Sequence, residues 1–206
     1  MERKNLAVAI IIAFLSLSFA HSSYHTVKQV IDGDTVVLET NEHVRYLGID
    51  APELGRDGEP NEFMAAESRL FNQGLVGKKR VRLEFDQEEK DRHGRLLAYV
   101  FLENGEMVNV LLVKRGFARV LAVKPNLKYF QFLLDSQRAA MTEKVGLWSK
   151  ISEKPEPYYV GRHKSYRFHR PSCPFGKEIP PADMVRFSDS RQAYWEGFSP
   201  CRRCKP

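Results

Sequence analysis

The sequence predicts a mainly β fold with several helices, followed by a small second unit near the C-terminal end. One reason is a hairpin centred on Asp32-Gly33, because Asp-Gly between two β-branched runs is a strong signal for a tight turn. A second is the pair of segments 80–85 and 96–102, which alternate or run apolar as the strands of a closed barrel do. A third is the change to Lys, Glu, Ser and Pro from Ser149 onward, where apolar periodicity stops.

A third strand is predicted over residues 43–49, and Pro52 ends it. Strict alternation would place Arg45 and Asp50 on opposite faces of a flat strand. If the two side chains converge, the strand must bend between them, and Gly48 is the candidate for that bend.

Three helices are predicted from periodicity. The first spans residues 60–73, with Pro60 in its first turn and an apolar face formed by Phe63, Ala66 and Leu70. A short helix spans residues 107–115 and is closed by Gly116. A longer helix spans 126–145, with these residues near one face: Phe130, Leu133, Leu134, Gln137 and Met141.

Residues 1–20 have the pattern of an export signal, with a basic start, an apolar stretch and a small-x-small site at Ser18-Phe19-Ala20. The apolar stretch is shorter than the roughly 20 residues that a spanning helix needs, which favours cleavage. We therefore expect a periplasmic or secreted monomer with no membrane-spanning segment after cleavage. An uncleaved membrane anchor is the alternative.

The remaining chain divides into a main domain at 21–150, a linker at 151–157 and a second unit at 158–206. The second unit is too short to bury a sufficient core without a metal or disulfides. The formal net charge of +6 suits a polyanionic substrate, although ordinary solubility charge is the alternative reading.

Five charged residues form the first candidate site. Asp34 and Asp50 are carboxylates suited to a hard cation, Glu53 is a third carboxylate free to act as a base, and Arg45 and Arg95 can each clamp a phosphate. A metal-dependent phosphodiesterase needs these parts: a Lewis acid, a base that activates water, and positive charge for the transition state. The alternative is a set of solvated turn carboxylates and surface ion pairs.

The order of these residues and the sequence around them agree with one known pattern. The main matching stretches are Ile31-Asp32-Gly33-Asp34-Thr35, Arg45-Tyr46-Leu47-Gly48-Ile49-Asp50-Ala51-Pro52-Glu53, Asp91-Arg92-His93-Gly94-Arg95, Lys124-Pro125-Asn126 and Gly146-Leu147-Trp148-Ser149. Together they resemble the staphylococcal nuclease (thermonuclease) family over residues 24–150. The resemblance implies a five-stranded oligonucleotide-binding (OB) barrel packed with about three helices.

The resemblance also implies roles for individual residues. Asp34 and Asp50 would be Ca²⁺ ligands together with the backbone carbonyl of Ala51. Glu53 would be the general base, and Arg45 and Arg95 would contact the phosphate and the transition state. The implied reaction is hydrolysis of the P–O5′ bond of DNA and/or RNA, which leaves 3′-phosphates.

The chain departs from the family pattern at the predicted substrate-binding rim. Arg92-His93 stand where the family often has Lys-Tyr, and residues 121–123 are aliphatic where it has aromatic residues. Stacking of a base on an aromatic side chain contributes about 1–3 kcal/mol, so nucleotide affinity and base preference are the properties affected, and the catalytic set is not. Arg92 and His93 remain the candidate substrate-binding residues at this rim.

Four residues of the second unit form a candidate Zn²⁺ site: His169 and Cys173, four positions apart, and Cys201 and Cys204, three apart. Two close pairs of soft donors are typical of a closed, structural, tetrahedral zinc site. The alternative in an exported protein is a disulfide, but three cysteines leave one unpaired and His169 unexplained.

Residues 168–174 and 197–206 also resemble the metal-binding module of Ada-type DNA-repair proteins. That module uses four cysteines, the first of which accepts a methyl group, and His169 stands at its position here, so we expect no repair chemistry. A structural zinc module remains, which either serves stability or contacts phosphates through its basic residues: Arg162, Lys164, Arg167, Arg170, Arg202, Arg203 and Lys205.

The sequence thus predicts an exported, Ca²⁺-dependent endonuclease of the thermonuclease type with a C-terminal zinc module. One alternative is a non-catalytic nucleic-acid-binding OB-fold protein with a structural zinc module. Another makes the zinc module the principal functional part, in repair or regulation.

Overall fold

The computed structural model describes residues 23–55, 57–150 and 156–206. The predicted export signal at 1–20 lies outside these residues, as does most of the predicted linker. Within them the strands are β1 (Tyr24–Val30), β2 (Thr35–Leu38), β3 (His43–Tyr46), β4 (Ile49–Asp50), β5 (Arg80–Glu84), β6 (Leu96–Leu102), β7 (Arg119–Val120), β8 (Tyr159–Arg162), β9 (Arg167–His169), β10 (Met184–Phe187) and β11 (Ser199–Pro200). The α-helices are α1 (Ala65–Val76), α2 (Val108–Lys114), α3 (Phe130–Glu143), α4 (Pro174–Lys177) and α5 (Ser190–Trp195).

Five strands close into a barrel in the order β1-β2-β3-β6-β5, with β5 paired back to β1. The β3–β6 pairing is parallel and the other four are antiparallel. Aliphatic residues such as Val27, Val44 and Val81 fill the interior, and α1, α2 and α3 pack around it. The predicted five-stranded barrel with about three helices is therefore confirmed.

The predicted bend at Gly48 is also present. Gly48 has a φ of +74° and separates β3 from the two-residue strand β4, which leaves the barrel and pairs with β7. A β-carbon at Gly48 would lie 2.5 Å from Cδ1 of Leu133 on α3, so a larger residue would not fit here. The bend directs Asp50 away from the barrel wall and beside Arg119.

The prediction for the first helix was wrong in its start and in its face. Helix α1 begins at Ala65, because the preceding loop is tied to the residues after β4, where the Glu62 amide donates to the Glu53 carbonyl at 3.0 Å. Leu70 is 68% exposed, whereas the polar residues Ser68 and Asn72 are fully buried. Ser68 donates to the Phe117 carbonyl, and Asn72 bonds to Tyr46 and Asp32, so both buried polar side chains have hydrogen-bond partners. These hydrogen bonds, and not the apolar periodicity, decide which face of α1 is buried.

The second and third helices lie close to their predictions. Helix α3 begins at Phe130 and not at residue 126, because the Asn126 side chain is bonded to the backbone of Glu88. It accepts from the Glu88 amide and donates to the Glu88 carbonyl, both at 2.8 Å. Asn126 therefore fixes the charged loop before β6 and does not start the helix.

The C-terminal module, residues 156–206, is a four-stranded sheet in the order β10-β8-β9-β11 with two short helices. Its core is small and mainly aromatic, and consists of Tyr159, Phe168, Phe187, Ala193 and Phe198. The module packs against α3 of the barrel domain through α5. Among the described residues, no helix is long and apolar enough to cross a membrane.

Candidate active site

The hairpin between β1 and β2 holds Asp34 at one end of the barrel. The Asp34 amide donates to Oδ1 of Asp32 at 3.0 Å, and the Asp32 carbonyl accepts from Nδ2 of Asn72 on α1 at 3.0 Å. A β-carbon on Gly33 would lie 2.0 Å from Oγ of Ser68, so only glycine lets the turn pack this closely on α1. The buried polar face of α1 thereby fixes the position of Asp34.

The Asp34 carboxylate is only 5% exposed and is fully engaged. Its Oδ2 accepts from the Ala51 amide at 2.6 Å and pairs with the Arg45 guanidinium at 2.7 Å, while its Oδ1 accepts from the Thr35 hydroxyl at 3.1 Å. Burial raises the pKa of Asp34 to about 8; Arg45 opposes the rise, and the nearby carboxylates of Asp32 and Asp50 add to it. Added positive charge would therefore stabilise the ionised form.

Arg45 bridges the two candidate metal-binding carboxylates. One terminal nitrogen lies 2.7 Å from Oδ2 of Asp34 and the other lies 2.9 Å from Oδ1 of Asp50. It also donates to the Ile49 carbonyl at 3.0 Å, which holds the bent segment after Gly48. Burial disfavours the guanidinium cation, but the surrounding carboxylates outweigh this and raise the pKa of Arg45.

The donors gathered here fit a hard divalent cation. Asp34 and Asp50 present carboxylate oxygens, and Ala51, the third predicted ligand, is buried beside them with its amide on Asp34. Hard cations such as Ca²⁺ take oxygen ligands, about 6–8 of them, and water can complete the shell. Burial is the main cause of the raised pKa of Asp34, and a bound cation would offset the cost of keeping this buried carboxylate ionised.

Glu53 lies in the loop after β4, with its side chain 54% exposed. Its backbone is fixed from both sides by Glu62, whose amide donates to the Glu53 carbonyl at 3.0 Å and whose Oε2 accepts from the Glu53 amide at 3.1 Å. The carboxylate itself is open to solvent, and a general base needs this exposure because it must contact a water molecule.

Arg95 lies just before β6, the strand that pairs with the strand of Arg45, and its side chain is engaged by Asp91. Its Nε donates to Oδ2 of Asp91 at 2.7 Å and its amide to Oδ1 of Asp91 at 3.0 Å. In the described part of the chain, Arg95 forms no ion pair with Asp34, Asp50 or Glu53.

Arg92 and His93, the predicted substrate-binding residues, lie exposed at the tip of the same loop. Nε of Arg92 donates to Nε2 of His93 at 3.1 Å, and the His93 amide donates to Oδ1 of Asp91 at 2.8 Å. The structure therefore groups Arg92, His93 and Arg95 around Asp91, apart from the cluster of Asp34, Arg45 and Asp50.

Sequence analysis missed Arg119. Strand β7 pairs with β4 so that Arg119 is directly opposite Asp50. One of its terminal nitrogens lies 3.4 Å from the Tyr194 hydroxyl, and its Nε is buried with no hydrogen-bond partner among the described residues. Because the pairing joins two strands of two residues each, no periodicity in the sequence could have revealed it.

Sequence analysis also missed the position of Arg202, which it assigned only to a general basic surface. A terminal nitrogen of Arg202 lies 3.1 Å from Oδ1 of Asp50 and 3.8 Å from Oε1 of Glu53. Arg202 follows Asp50 by 152 positions, so the C-terminal module reaches the candidate site of the barrel domain. A cavity of about 710 Å³ lies between the two parts and includes Asp50, Glu53, Arg119 and Arg202 in its walls.

The candidate zinc ligands converge in the module. The ligand atoms of His169, Cys173, Cys201 and Cys204 all lie within 4.8 Å of one another. None of the three cysteines, all of which belong to the described residues, forms a disulfide. Burial and the nearby Arg167 lower the pKa of His169, which favours the neutral imidazole that binds metals. The arrangement fits a tetrahedral Cys₃His site.

The chain is similar to proteins of known class. Residues 43–150 match the family described as staphylococcal nuclease homologue. The chain is 38% identical to the thermonuclease of Staphylococcus hyicus over 136 residues, which cover 65% of this chain and 80% of that protein. It is 38% identical to the thermonuclease of Staphylococcus intermedius over 129 residues, which cover 61% of this chain and 76% of that protein. It is 40% identical to endonuclease YncB of Bacillus subtilis over 131 residues, which cover 61% of each chain.

Proposed function

Because this chain belongs to the staphylococcal nuclease family, we propose that it is a Ca²⁺-dependent nuclease that hydrolyses phosphodiester bonds of DNA and/or RNA. The observation that carries the proposal is the cluster of Asp34, Arg45 and Asp50, two buried carboxylates bridged by one guanidinium, with the exposed Glu53 beside it.

Asp34, Asp50 and the carbonyl of Ala51 would hold the cation. A bound Ca²⁺ supplies Lewis-acid stabilisation of a phosphoryl oxygen as negative charge develops in the transition state. The raised pKa of Asp34 supports this assignment, because a carboxylate that is costly to ionise in isolation is stabilised by a divalent partner.

Glu53 acts as the general base. Its carboxylate accepts a proton from the water that attacks phosphorus, a new P–O bond forms, and the P–O5′ bond breaks with its electron pair left on O5′. The fixed backbone and free side chain of Glu53 support this role, since the base is held in place but remains open to water.

Arg45 and Arg95 stabilise the charge on the phosphoryl oxygens. Arg45 is held beside the cation-binding carboxylates, and Arg95 lies just before β6, the strand that pairs with the strand of Arg45. To reach the phosphate, Arg95 must leave its ion pair with Asp91. Because the Arg95 side chain is partly exposed, breaking this ion pair costs little free energy. Arg92 and His93, in the same loop, contact the strand on either side.

The C-terminal module, assigned to residues 158–206 after a linker at 151–157, holds a structural Zn²⁺ ion through His169, Cys173, Cys201 and Cys204. The support is the convergence of four ligand atoms in a unit with a small core. Export as a monomer, directed by residues 1–20, is the corresponding proposal for the start of the chain and rests on its sequence pattern alone.

The alternative of a non-catalytic nucleic-acid-binding barrel is disfavoured by the site itself. A binding surface has no use for two buried carboxylates, which repel phosphate, whereas a hydrolase uses them to hold a cation.

The test is a cleavage assay with purified protein on single- and double-stranded DNA and RNA, in Ca²⁺ or in EGTA. We expect cleavage in Ca²⁺, none in EGTA, and 3′-phosphate products. Glu53→Gln should lower kcat by at least about a hundredfold, the scale of a lost general base. The control is Glu67→Gln, which removes an exposed carboxylate from α1 and should leave kcat unchanged. Normal turnover by Glu53→Gln would move the chemistry to another residue.

A further inference from the structure

The C-terminal module brings a guanidinium to the centre of the candidate active site. Arg202 stands between Cys201 and Cys204, two residues of the metal-binding cluster. Its terminal nitrogen lies 3.1 Å from Asp50 and 3.8 Å from Glu53, the proposed cation ligand and the proposed base. No other residue of the module forms an ion pair with the barrel domain among the described residues.

The loop that carries Arg202 is fixed at both ends. The Cys201 amide donates to the Phe168 carbonyl at 2.9 Å, and the Lys205 amide donates to the Cys201 carbonyl at 2.9 Å. Arg170 donates to the Cys204 carbonyl at 3.0 Å and to the Lys205 carbonyl at 2.9 Å. Arg202 thus extends from a constrained backbone.

The module is itself fixed on the barrel domain by hydrogen bonds to the backbone of the other part. Gln137 of α3 donates to the Tyr194 carbonyl at 2.7 Å, and Arg138 donates to the Trp195 carbonyl at 2.9 Å. In the opposite direction, Arg191 donates to the Met141 carbonyl at 3.0 Å. The rings of Trp148 and Tyr194 also meet at 5.2 Å. The approach of Arg202 to Asp50 follows from this docking.

Three arginines lie at this junction, together with the carboxylates of Asp50, Glu53 and Glu62. Arg119 faces Asp50 from β7 and has a buried, unpartnered Nε among the described residues. Arg167 of β9 donates to the Pro200 carbonyl at 3.1 Å, next to the loop of Arg202. A group of cations with one unsatisfied donor favours an anionic ligand.

We propose that the C-terminal module forms one wall of the substrate cleft, and that Arg202 binds a phosphate of the nucleic-acid strand next to the scissile bond. The proposal rests on the proposed nuclease function and assigns it a substrate-binding residue outside the barrel domain. Arg119, opposite Asp50, and Arg167, bonded to the Pro200 carbonyl, add positive charge that increases the attraction for the strand.

A phosphate is a better partner for Arg202 than the carboxylates it meets in the free protein. Asp50 already has Arg45 as a partner at 2.9 Å, and the Arg202 side chain is 68% exposed. An exposed ion pair of this kind contributes little and is readily exchanged, whereas a guanidinium can bind two phosphate oxygens at once. The cavity of about 710 Å³ beside Arg202 leaves room for the strand.

The neighbouring Arg203 provides a matched control. It belongs to the same loop and carries the same charge, but its guanidinium lies over the ring of Phe175, 5.6 Å from the centroid, within the module. Arg203→Ala therefore changes net charge and loop composition as Arg202→Ala does, without removing a group from the cleft.

The experiment compares the full chain with Arg202→Ala, Arg202→Gln, Arg202→Lys and Arg203→Ala. Cleavage of a short single-stranded DNA oligonucleotide in Ca²⁺ gives kcat/KM, and fluorescence anisotropy gives binding to the same oligonucleotide in a Glu53→Gln background, with Ca²⁺ and with EGTA. We expect kcat/KM and affinity to fall about tenfold or more in Arg202→Ala and Arg202→Gln, and less in Arg202→Lys. Arg203→Ala should stay within about twofold.

The salt dependence of binding separates phosphate contact from a structural role. Loss of one phosphate contact reduces the slope of log K against log salt concentration by about 0.7 for a single strand. Arg202→Ala and Arg202→Gln should show this reduction and Arg203→Ala should not. Zinc content and thermal midpoint are measured for each variant and identify any variant that has lost the fold. If Arg202→Ala does not fold, Arg202→Gln, which keeps a polar side chain, tests the same role.

The outcomes are distinct. A wild-type protein that cleaves no substrate would contradict the proposed function. A wild-type protein that cleaves while Arg202→Ala and Arg202→Gln match Arg203→Ala in kcat/KM and salt slope would overturn the phosphate-binding role alone. Faster cleavage by Arg202→Ala than by wild type would also overturn it, because Arg202 would then be an autoinhibitory contact on Asp50 and Glu53.

Discussion

The barrel domain and the C-terminal module contribute to the same site but are held together by different means. The barrel has a continuous aliphatic core, in which residues such as Val27, Val36, Leu38 and Val44 are fully buried. The module has a core of five buried residues beside the cluster of His169, Cys173, Cys201 and Cys204. A core of that size supplies little stability, so we expect the module to depend on metal binding at this cluster, whereas the barrel depends on burial.

The difference has a functional consequence. Within the barrel domain, Arg45 pairs with both Asp34 and Asp50, so this cluster has contacts that do not involve the module. Arg202 is positioned by a loop that begins and ends at candidate metal ligands. If the ligand cluster is disrupted, we expect the carboxylate cluster to survive and Arg202 to be displaced.

Loss of metal from the cluster is expected to produce the largest effect and to separate the two parts. Structural zinc contributes roughly 10–16 kcal/mol in small zinc-binding peptides near neutral pH, which exceeds what a core of this size can replace. Cys201→Ser should therefore release about one equivalent of Zn²⁺ and expose the backbone of residues 156–206 to hydrogen exchange, while the barrel strands stay protected.

Ser172→Ala is the control for this change, because Ser172 is exposed and stands next to Cys173 without belonging to the cluster. It should retain the metal and the exchange pattern of the wild type. A metal-free module that stays protected, or one stabilised by a Cys173 disulfide, would contradict the zinc assignment.

A smaller effect is expected within the barrel domain at Asn72. Its side chain accepts from the Tyr46 hydroxyl at 3.1 Å and donates to the Asp32 carbonyl at 3.0 Å, so it connects α1 to the turn that presents Asp34. Asn72→Ala leaves the Tyr46 hydroxyl and the Asp32 carbonyl without this partner. Each unsatisfied group costs about 1–3 kcal/mol. The free energy of unfolding from urea titration should fall by this order, and cleavage should weaken with it.

Leu70→Ala on the same helix gives the comparison, because Leu70 is largely exposed and its loss should change stability by less than about 0.5 kcal/mol. If Leu70→Ala proves the more damaging substitution, the buried face of α1 has been assigned to the wrong residues.

The smallest expected effect is the contribution of Glu84 to the stability of the barrel domain at acidic pH. Burial would raise the pKa of Glu84, but hydrogen bonds from Lys128, Tyr129 and Arg82 outweigh it and lower the pKa to about 2. A lowered carboxylate pKa gives stability that is present above the unfolded value of 4.5 and is lost as pH falls toward about 2. Because the group is partly solvated, we expect a loss of about 1–2 kcal/mol over this window.

Glu84→Gln should be less stable than wild type at neutral pH, and the difference should shrink between pH 4.5 and 2. Thermal midpoints across this pH range measure the difference in stability. Glu103→Gln, which changes a more exposed carboxylate of the same domain, is the control. A constant difference between wild type and Glu84→Gln at all pH values would show that the carboxylate has no lowered pKa.

Much of the barrel could be predicted from local patterns. The Asp32-Gly33 turn, the strand that follows it and the bend at Gly48 all depend on residues a few positions apart, and all are present. The comparisons with relatives confirm the predicted family and the predicted enzyme class, a phosphodiester-hydrolysing nuclease. The face of α1 could not be predicted, because Ser68 and Asn72 are buried by hydrogen bonds to distant backbone and side-chain groups that periodicity does not register.

The sequence by itself determined the chemical inventory: carboxylates and arginines at fixed places around a turn and a bend, and two close pairs of soft metal donors. Short-range forces suffice for these features, since turn geometry and ligand spacing act over a few residues. Only the tertiary structure decided which charges meet. The burial that raises the pKa of Asp34, the pairing that brings Arg119 to Asp50 and the docking that brings Arg202 across 152 positions all depend on packing between distant elements. The module is held on α3 by hydrogen bonds such as those from Gln137 to Tyr194 and from Arg191 to Met141, which join residues that are far apart in the sequence.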